Sequence, residues 1–323
     1  MTASVIAVDI GGTKTVVCLV DSRGQIRSSR RAPSRASDGP GAVIGTVVRL
    51  ARAVAQQHEE DIRGVGVATA GVVDAGAGRI VSSTDTFARW AGTPVAALLR
   101  AELADLIGAE GVVNVQNDVD AHALGEVTSG AGTGARSALV VAVGTGVGAG
   151  IIIDGKPFRG ARHVAGEIAH IPMPGAEHLR CPCGRDGHLE AIGSGAGLQR
   201  HFVSLGGSPE YVDGRSVADL ARRGDALALR AIQDSAAAVG RGIAAAATLL
   251  DPERVIVTGG LTQIGERWWN AMDEAFRAEV IDALADVPLL PGRLGGDAPL
   301  IGAAAAAWQQ WGGRPWPATQ KAS

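Results

Sequence analysis

The strongest constraint on the fold is a pattern that occurs twice: an apolar strand, a turn of glycine and threonine, and a second apolar strand. The first copy spans residues 5–20, with its turn at residues 11–14. The second copy spans residues 138–153, with its turn at residues 144–148. Two strands joined by a short glycine-containing turn are typical of a β-hairpin. The repetition predicts a duplicated architecture in which each half of the chain contributes one glycine turn.

Strands and helices alternate along the rest of the chain, which predicts an α/β protein. Hydrophobic periodicity predicts helices over residues 42–58, 95–106, 119–127, 226–250 and 301–311, and strands over residues 65–68, 112–116 and 255–257. Residues 156–187 contain four prolines and are predicted to be irregular. We expect a first domain of residues 1–117 and 300–323 and a second domain of residues 118–299. The last helix is expected to pack back onto the first half of the chain.

Composition excludes some classes of function. Acidic and basic residues nearly balance, 33 against 30, so the formal net charge is −3 at pH 7. A protein that coats nucleic acid needs an excess of Lys and Arg, and aromatic residues, at 3%, are too few for a base-stacking surface. The sequence opens without a basic leader, and the apolar run at residues 299–308 is shorter than the roughly 20 residues of a membrane-spanning helix. We predict a cytoplasmic protein whose partners include neither nucleic acid nor a membrane.

The two glycine turns have the composition of phosphate-binding loops. Without a Cβ atom, the backbone N–H groups of a glycine turn can approach phosphate oxygens closely. Thr13 and Thr145 add hydroxyl donors, Lys14 adds a positive charge, and Asp9 can hold Mg²⁺ through water. The candidate glycines are Gly11, Gly12, Gly144 and Gly146. Tight hairpins without any ligand explain the same residues, so both interpretations stay open on these residues alone.

Two familiar nucleotide motifs match only in part. Residues 150–156 fit G-x-x-x-x-G-K, but Pro157 stands where that motif requires Ser or Thr for Mg²⁺. Residues 144–149 fit the dinucleotide fingerprint, which must open a helix, yet the β-branched residues 151–153 follow at once. We reject both matches, and a dehydrogenase that uses the second turn is kept only as an alternative for the assay to exclude.

Asn117 and Asp118 separate the predicted strand at residues 112–116 from the predicted helix at residues 119–127. Either residue is suited to capping the helix. The functional interpretation makes Asp118 a general base that accepts a proton from an attacking hydroxyl, as an aspartate does in kinases. The residues themselves leave both interpretations open.

Potential metal ligands gather in the irregular segment. They are His170, Cys181, Cys183 and His188. Two histidines and two cysteines can form a closed tetrahedral Zn²⁺ site, which is the structural type. Buried thiols beside surface histidines would give the same pattern. Glu167 and Glu190 bracket this loop, either as hydrogen-bond partners of sugar hydroxyls or as solvated acids.

Together, these motifs resemble those of the ROK family of sugar kinases and regulators. Residues 9–14 resemble its first phosphate motif, residues 117–126 its sugar and catalytic segment, residues 144–148 its second phosphate turn, residues 165–170 and 181–190 its signature, and residues 257–260 its nucleoside-side Gly-Gly. The motifs follow in order from residue 9 to residue 260, so the resemblance covers nearly the whole chain.

The resemblance implies an actin-like (ribonuclease H-like) duplicated two-domain fold whose interdomain cleft binds ATP, Mg²⁺ and a hexose. It makes Asp118 the base for the sugar 6-hydroxyl, and it implies that the sugar is held by Asn117, Asp118, Glu167, His170 and Glu190. It also implies that Gly259 and Gly260 lie near the nucleoside, and that a structural Zn²⁺ is bound by His170, Cys181, Cys183 and His188. The chain departs from the family pattern at His188, where a third cysteine is usual, and at Ala169, where glycine is usual.

The identity of the sugar is less constrained than the reaction. Glucokinases of the family often carry Pro-Asn-Leu before a Trp, whereas the segment before Trp90 lacks that Asn, and Gly71 and Thr84 lie in segments more like those of N-acetylmannosamine kinases. We predict an ATP-dependent hexose 6-kinase that acts on glucose or an N-acetylhexosamine. The alternative is a sugar-binding regulator without turnover, although only eight residues precede Asp9, too few for a DNA-binding helix-turn-helix. The resemblance also implies a homodimer.

Overall fold

The computed structural model describes residues 3–56, 60–84 and 86–312. Its strands are β1 (Ala3–Ile10), β2 (Lys14–Asp21), β3 (Ile26–Pro33), β4 (Asp61–Thr69), β5 (Val72–Asp74), β6 (Arg79–Ser82), β7 (Val112–Asn117), β8 (Ala138–Val143), β9 (Val147–Ile153), β10 (Lys156–Pro157), β11 (Val255–Thr258) and β12 (Leu289–Pro291). Its α-helices are α1 (Pro40–Ala55), α2 (Val95–Glu102), α3 (Ala104–Ile107), α4 (Asp118–Ser129), α5 (Leu189–Gly193), α6 (Gly195–Ser204), α7 (Gly214–Arg222), α8 (Ala226–Leu250), α9 (Glu266–Glu279) and α10 (Ala298–Gln310).

These elements form two compact units. The first comprises residues 1–134, 152–165 and 296–323, and the second comprises residues 135–151 and 166–295. By these contacts residues 118–134 group with the first unit, whereas the sequence predicts a boundary after Asn117. The reason is that α4 packs along α10 within the first unit. As predicted, the last helix packs onto the N-terminal half of the chain.

The first sheet has the strand order β3-β2-β1-β4-β7. Strands β1, β2 and β3 pair antiparallel, whereas β1, β4 and β7 pair parallel. Ile10 therefore pairs with Thr69, and Thr69 with Asn117, at the carboxyl ends of the three parallel strands. This register brings the first glycine turn and the Asn117–Asp118 pair to the same edge of the sheet.

The two faces of the first sheet are covered differently. One face and α1 build a hydrophobic core, in which Val43, Val47 and Leu50 join Ile6 and Val8. Burying such branched aliphatic side chains contributes about 1.5–3 kcal/mol each. The other face packs against the Ala-rich helix α10, which also lies along α4.

Small residues allow the close packing of α10. A Cβ atom on Gly66 of β4 would clash with the carbonyl oxygen of Ala303, and one on Gly302 with that of Ala121. The backbones of β4, α10 and α4 therefore lie in direct contact, with no room for larger side chains. This packing fixes α4 on the sheet and with it the start of α4 at Asp118.

A second sheet, β10-β9-β8-β11-β12, repeats the strand order of the first. Strands β8, β11 and β12 pair parallel, and Thr258 at the end of β11 pairs with Ala142. The long helix α8 packs against α9, whose buried residues Trp268, Met272 and Phe276 are spaced at one helical turn.

Most predicted elements are confirmed, including both strand–turn–strand units and the irregular character of residues 156–187. The predicted helix over residues 95–106 is instead two helices, α2 and α3, because the backbone leaves helical geometry at Leu103 (φ −116°). The predicted helix over residues 42–58 begins at Pro40 and ends at Ala55, and its last two predicted residues lie outside the described ones. Among the described residues, no helix combines the length and hydrophobicity needed to cross a bilayer.

Candidate active site

The first glycine turn connects β1 to β2 and is held by Ser34. The Gly11 N–H donates to the Lys14 carbonyl oxygen (3.1 Å), which closes the turn. The Ser34 N–H donates to the Thr13 carbonyl (3.1 Å), and the Ser34 hydroxyl donates to the Gly11 carbonyl (2.5 Å). In the part of the chain that is described, the N–H groups of Gly12 and Thr13 donate to no protein acceptor. They are therefore available to an anion.

Two carboxyl groups influence each other at this edge of the sheet. Asp9, one residue before the end of β1, has its pKa raised to about 6, first by burial and then by the charge of Asp118, while Lys14 opposes the rise. Burial also raises the pKa of Asp118, against hydrogen bonds from Val119 and Asn117. Asp9, Lys14 and Asp118 thus share one electrostatic environment, suited to a divalent cation and to proton transfer.

Asn117 is the cap of helix α4, as the structural interpretation of the sequence predicted. Its Oδ1 accepts hydrogen bonds from the N–H groups of Val119 (2.8 Å) and Asp120 (3.2 Å), and its Nδ2 donates to the carbonyl of Gly71 (2.9 Å). The same amide also hydrogen-bonds the Asp118 side chain, so Asn117 contacts the first turn of α4, Gly71 and Asp118 together. The Val119 N–H is shared, because the Asp118 Oδ1 also accepts from it (3.0 Å).

The other two candidate sugar residues of the first unit lie close to this edge. Gly71 adopts φ +106°, and any side chain there would meet the Ser82 carbonyl, so glycine is required. Thr84 is exposed, and its hydroxyl lies 3.3 Å from the hydroxyl of Thr86. The methyl group of Thr86 occupies the space where a Cβ atom on Gly12 would be. The structure therefore brings Thr84 to the first glycine turn.

In the second unit, the second glycine turn is held by the start of α6 and by Glu190. The Gly144 N–H donates to the Gly146 carbonyl (2.8 Å), and the Gly144 carbonyl accepts from the Gly195 N–H (2.8 Å). The Glu190 Oε2 accepts from the Val147 N–H (3.2 Å), and a Cβ atom on Gly146 would lie 3.0 Å from that oxygen. Gly144 has both backbone groups engaged, so a ligand here would meet the exposed Thr145 and Gly146 instead.

The remaining predicted nucleotide glycines lie next to this turn. Gly259 follows β11 with φ +102°, and a side chain there would clash with the Val143 carbonyl at the end of β8. Gly260 has open space where a Cβ atom would be, as does Gly144. The structure thus brings residues 144–146 and 259–260 together along one edge of the second sheet.

Glu167 precedes a short 3₁₀ turn over Ile168–His170, of which His170 is the last residue. The His170 Nε2 lies 3.7 Å from the Glu167 Oε2, and both side chains are nearly half exposed, at 41% and 47%. The Ala169 side chain, by contrast, is buried. Glu167 and His170 can both reach a polar ligand from solvent.

The four predicted metal ligands come together in space. Their donor atoms all lie within 4.8 Å of one another. The Cys181 Sγ is 3.7 Å from the His170 Nδ1, and the Cys183 Sγ is 3.2 Å from the His188 Nδ1. With Zn–S and Zn–N bonds of about 2.3 and 2.0–2.1 Å, tetrahedral geometry places neighbouring S and N donors about 3.6 Å apart. The donor set and its spacing fit Zn²⁺.

The two thiols of this cluster differ in acidity. Burial, and then the side chain of Cys183, raises the pKa of the Cys181 thiol to about 11, and the charge of Glu190 adds the smallest contribution. A hydrogen bond from the Arg185 N–H lowers the pKa of the exposed Cys183 thiol. With its Nδ1 toward Cys181, His170 keeps its Nε2 near the Glu167 carboxylate, the arrangement that orients metal-bound histidines.

The ROK family model matches residues 5–310. The chain belongs to the ROK family. This ROK chain is 32% identical to a glucokinase of Streptomyces coelicolor over 321 residues, which cover 93% of this chain and 96% of the relative. It is 30% identical over 302 residues to the bifunctional enzyme NanE/NanK of Brucella melitensis, with 93% of this chain and 53% of that enzyme covered.

Its fold agrees with that of a solved ROK kinase. A crystal structure of a ROK family glucokinase from Streptomyces griseus, in complex with glucose and AMPPNP, superposes with a TM-score of 0.76 at 30% identity, over 95% of this chain and 99% of that one. The duplicated actin-like α/β fold expected from the sequence is therefore confirmed for this ROK chain.

Sequence reasoning missed the polar residues that support the site. Ser34 follows β3, an edge strand whose exposed Arg and Ser residues gave no strand pattern. Gln116, Asp120 and Arg159, which surround the Asn117–Asp118 pair, were also missed. The available signal was local: Gln116 and Asp120 flank the pair in sequence, but nothing in the sequence indicated that Arg159 joins them.

Proposed function

We propose that this ROK chain is an ATP-dependent hexose kinase that transfers the γ-phosphate of ATP to the sugar 6-hydroxyl. The observation that carries the proposal is the position of Asp118, the first residue of α4, whose carboxyl group shares its electrostatic environment with Asp9 and Lys14. Similarity to a glucokinase over 93% of the chain supports the same reaction.

In the proposed reaction, Asp118 accepts the proton of the 6-hydroxyl as that oxygen attacks the γ-phosphorus. A new O–P bond forms, the bond between the γ-phosphorus and the β–γ bridging oxygen breaks, and ADP leaves. Positioning and charge stabilisation supply most of the catalysis of such a transfer. The free N–H groups of Gly12 and Thr13, with the ammonium of Lys14, are suited to bind donor phosphates. Asp9 would hold Mg²⁺ through water, and the Mg²⁺ would neutralise part of the negative charge of those phosphates.

We assign the hexose hydroxyls to Asn117, Asp118, Gly71 and Thr84 of the first unit and to Glu167, His170 and Glu190 of the second. Residues 144–146 and 259–260 are assigned to the nucleotide. Hydrogen bonds from the sugar hydroxyls to carboxylates, together with those to an amide, fix the orientation of a polyhydroxylated ring, because each hydroxyl both donates and accepts. The substrate we propose is glucose or an N-acetylhexosamine such as N-acetylmannosamine.

A coupled ADP-release assay across glucose, N-acetylmannosamine, N-acetylglucosamine and N-acetylgalactosamine tests the proposal and identifies the sugar. Asp118→Asn keeps the shape of the side chain and removes the base, so we expect kcat to fall about 10²–10⁴-fold. Turnover by Asp118→Asn near the wild-type rate would refute the assignment of the base. Saturable glucose binding without ADP release would favour the regulator alternative, and hydride transfer to a nicotinamide would favour the dehydrogenase.

We further propose that His170, Cys181, Cys183 and His188 bind one structural Zn²⁺. Elemental analysis of protein purified without chelator should give about one zinc per chain, because a site with four protein ligands is closed and tight. Cys183→Ala should lose the metal, and His188→Cys, which restores the usual family ligand, should keep it. Zinc-free wild-type protein would contradict the site. Homodimerisation also stays a prediction, which light scattering on the purified chain tests.

A further inference from the structure

Arg159 links the two sides of the junction that carries the proposed base. It lies after β10, in residues 152–165 of the first unit. Its Nη2 donates to the Gln116 Oε1 (2.8 Å), and its Nε lies 2.9 Å from the Asp120 Oδ2. The arginine side chain is only 24% exposed, and that of Asp120 only 9%.

The two partners of Arg159 flank the Asn117–Asp118 pair. Gln116 is the residue before Asn117 in β7, and its Nε2 donates to the Gly302 carbonyl of α10 (3.3 Å). Asp120 lies in the first turn of α4, and its N–H donates to the capping oxygen of Asn117 (3.2 Å). One guanidinium therefore binds the strand on one side of the pair and the helix on the other.

A largely buried ion pair of this kind is better explained by geometry than by stability. Desolvation of the two charges offsets most of their attraction, so an apolar pair of similar volume would stabilise the fold as well. What an apolar pair cannot do is hold two different elements at fixed hydrogen-bond distances. Arg159 does this with a hydrogen bond from Nη2 to Gln116 and an ion pair to Asp120, because its Nε approaches the Asp120 carboxylate without hydrogen-bond geometry. The single ammonium of a lysine cannot reach both partners in the same geometry.

We propose that Arg159 is a positioning residue for Asp118: by tying Gln116 to Asp120, it fixes the β7–α4 junction from which the Asp118 carboxylate projects. This inference rests on the proposed function for its kinetic consequence. Its structural consequence, a rigid first turn of α4, is independent of any activity.

Hydrogen exchange tests the structural consequence directly. We expect Arg159→Met to speed exchange of the backbone amides of Val119 and Asp120, which donate to Asn117, because the turn opens more often without the ion pair. The matched control is Arg162→Met, an exposed arginine of the same segment, which should exchange like the wild type. Arg159→Lys keeps the charge and replaces Arg159→Met in the experiment if that variant does not fold. The exchange rates of Val119 and Asp120 in Arg159→Lys should lie between those of the wild type and those of Arg159→Met.

Steady-state kinetics on the preferred hexose test the functional consequence. We expect Arg159→Met to lower kcat about 10- to 100-fold, as a small misplacement of a base does, while KM for ATP stays within about twofold. Arg159→Lys should recover part of kcat, and Arg162→Met should be unchanged. A folded Arg159 variant with wild-type exchange at Val119 and Asp120 overturns the inference, and so does faster exchange with an unchanged kcat. Faster exchange in a protein that phosphorylates no sugar keeps the junction role and refutes the proposed function instead.

Discussion

Replacing Asp9 by Asn should make the protein more stable at neutral pH while it abolishes kinase activity. The carboxylate of Asp9 is partly buried at the end of β1 and lies in the field of Asp118. Asparagine has almost the same shape but carries no charge. The substitution therefore removes the electrostatic cost of the site and leaves its packing in place.

The size of the effect follows from the pKa of Asp9, which rises from 3.8 to about 6 on folding. One pKa unit corresponds to about 1.4 kcal/mol, so the rise corresponds to about 3 kcal/mol. Because the folded state holds this proton more tightly than the unfolded chain does, the contribution of Asp9 to stability is present below pH 4. It is lost as pH rises through about 6. The free energy of unfolding of Asp9→Asn should thus exceed that of the wild type by only about 0.5 kcal/mol at pH 4 and by about 3 kcal/mol at pH 7.5.

Urea unfolding at several pH values from 4 to 8, in buffer without added Mg²⁺, measures this difference. Asp282→Asn, which removes an exposed carboxylate, is the matched control and should stay within about 0.5 kcal/mol of the wild type at every pH. A stability difference for Asp9→Asn that does not change with pH would refute the reasoning. So would a variant less stable than the wild type at pH 7.5, because either result means that Asp9 carries no electrostatic strain.

Three further outcomes follow from the structure. Ser34→Ala removes the hydroxyl bond to Gly11 and should raise KM for ATP about tenfold, as one lost hydrogen bond of about 1.4 kcal/mol does, in the coupled assay. Because burial raises the pKa of Asp118, and that of Asp9 is about 6, kcat/KM should fall below about pH 6 in a pH–rate profile. Gly302→Val has no space beside Ala121 and should lower the free energy of unfolding by about 3 kcal/mol or more, measured with urea.

The parts of the site that the sequence could predict are those encoded in short, continuous stretches. Residue type and spacing alone predict a function for three such stretches: the glycine turns, the Asn117–Asp118 pair and the Cys181–His188 loop. The structure brings the members of each group together. Hydrophobic periodicity was equally sufficient for the buried helix α8, whose apolar positions repeat over seven turns.

What the sequence could not predict depends on long-range pairing. Strand β3 is an edge strand with mostly exposed side chains, so its conformation is set by pairing with β2 and not by its own pattern. Arg159 meets Gln116 across 43 residues of intervening chain, a contact that exists only once the fold is formed. Asn117 was open to two interpretations because capping and ligand binding use the same amide, and the structure shows the capping role.

The position of α10 has a consequence for synthesis on the ribosome. The face of β1 and β4 that α10 covers is complete only after residue 310 has been made, whereas β7, the last strand of that sheet, ends at residue 117. At about 5–20 residues per second, the nascent chain carries this uncovered apolar surface for roughly 10–40 s. All residues of the second unit are translated within that interval. The unit whose first strands are translated earliest is therefore the unit whose packing is completed last.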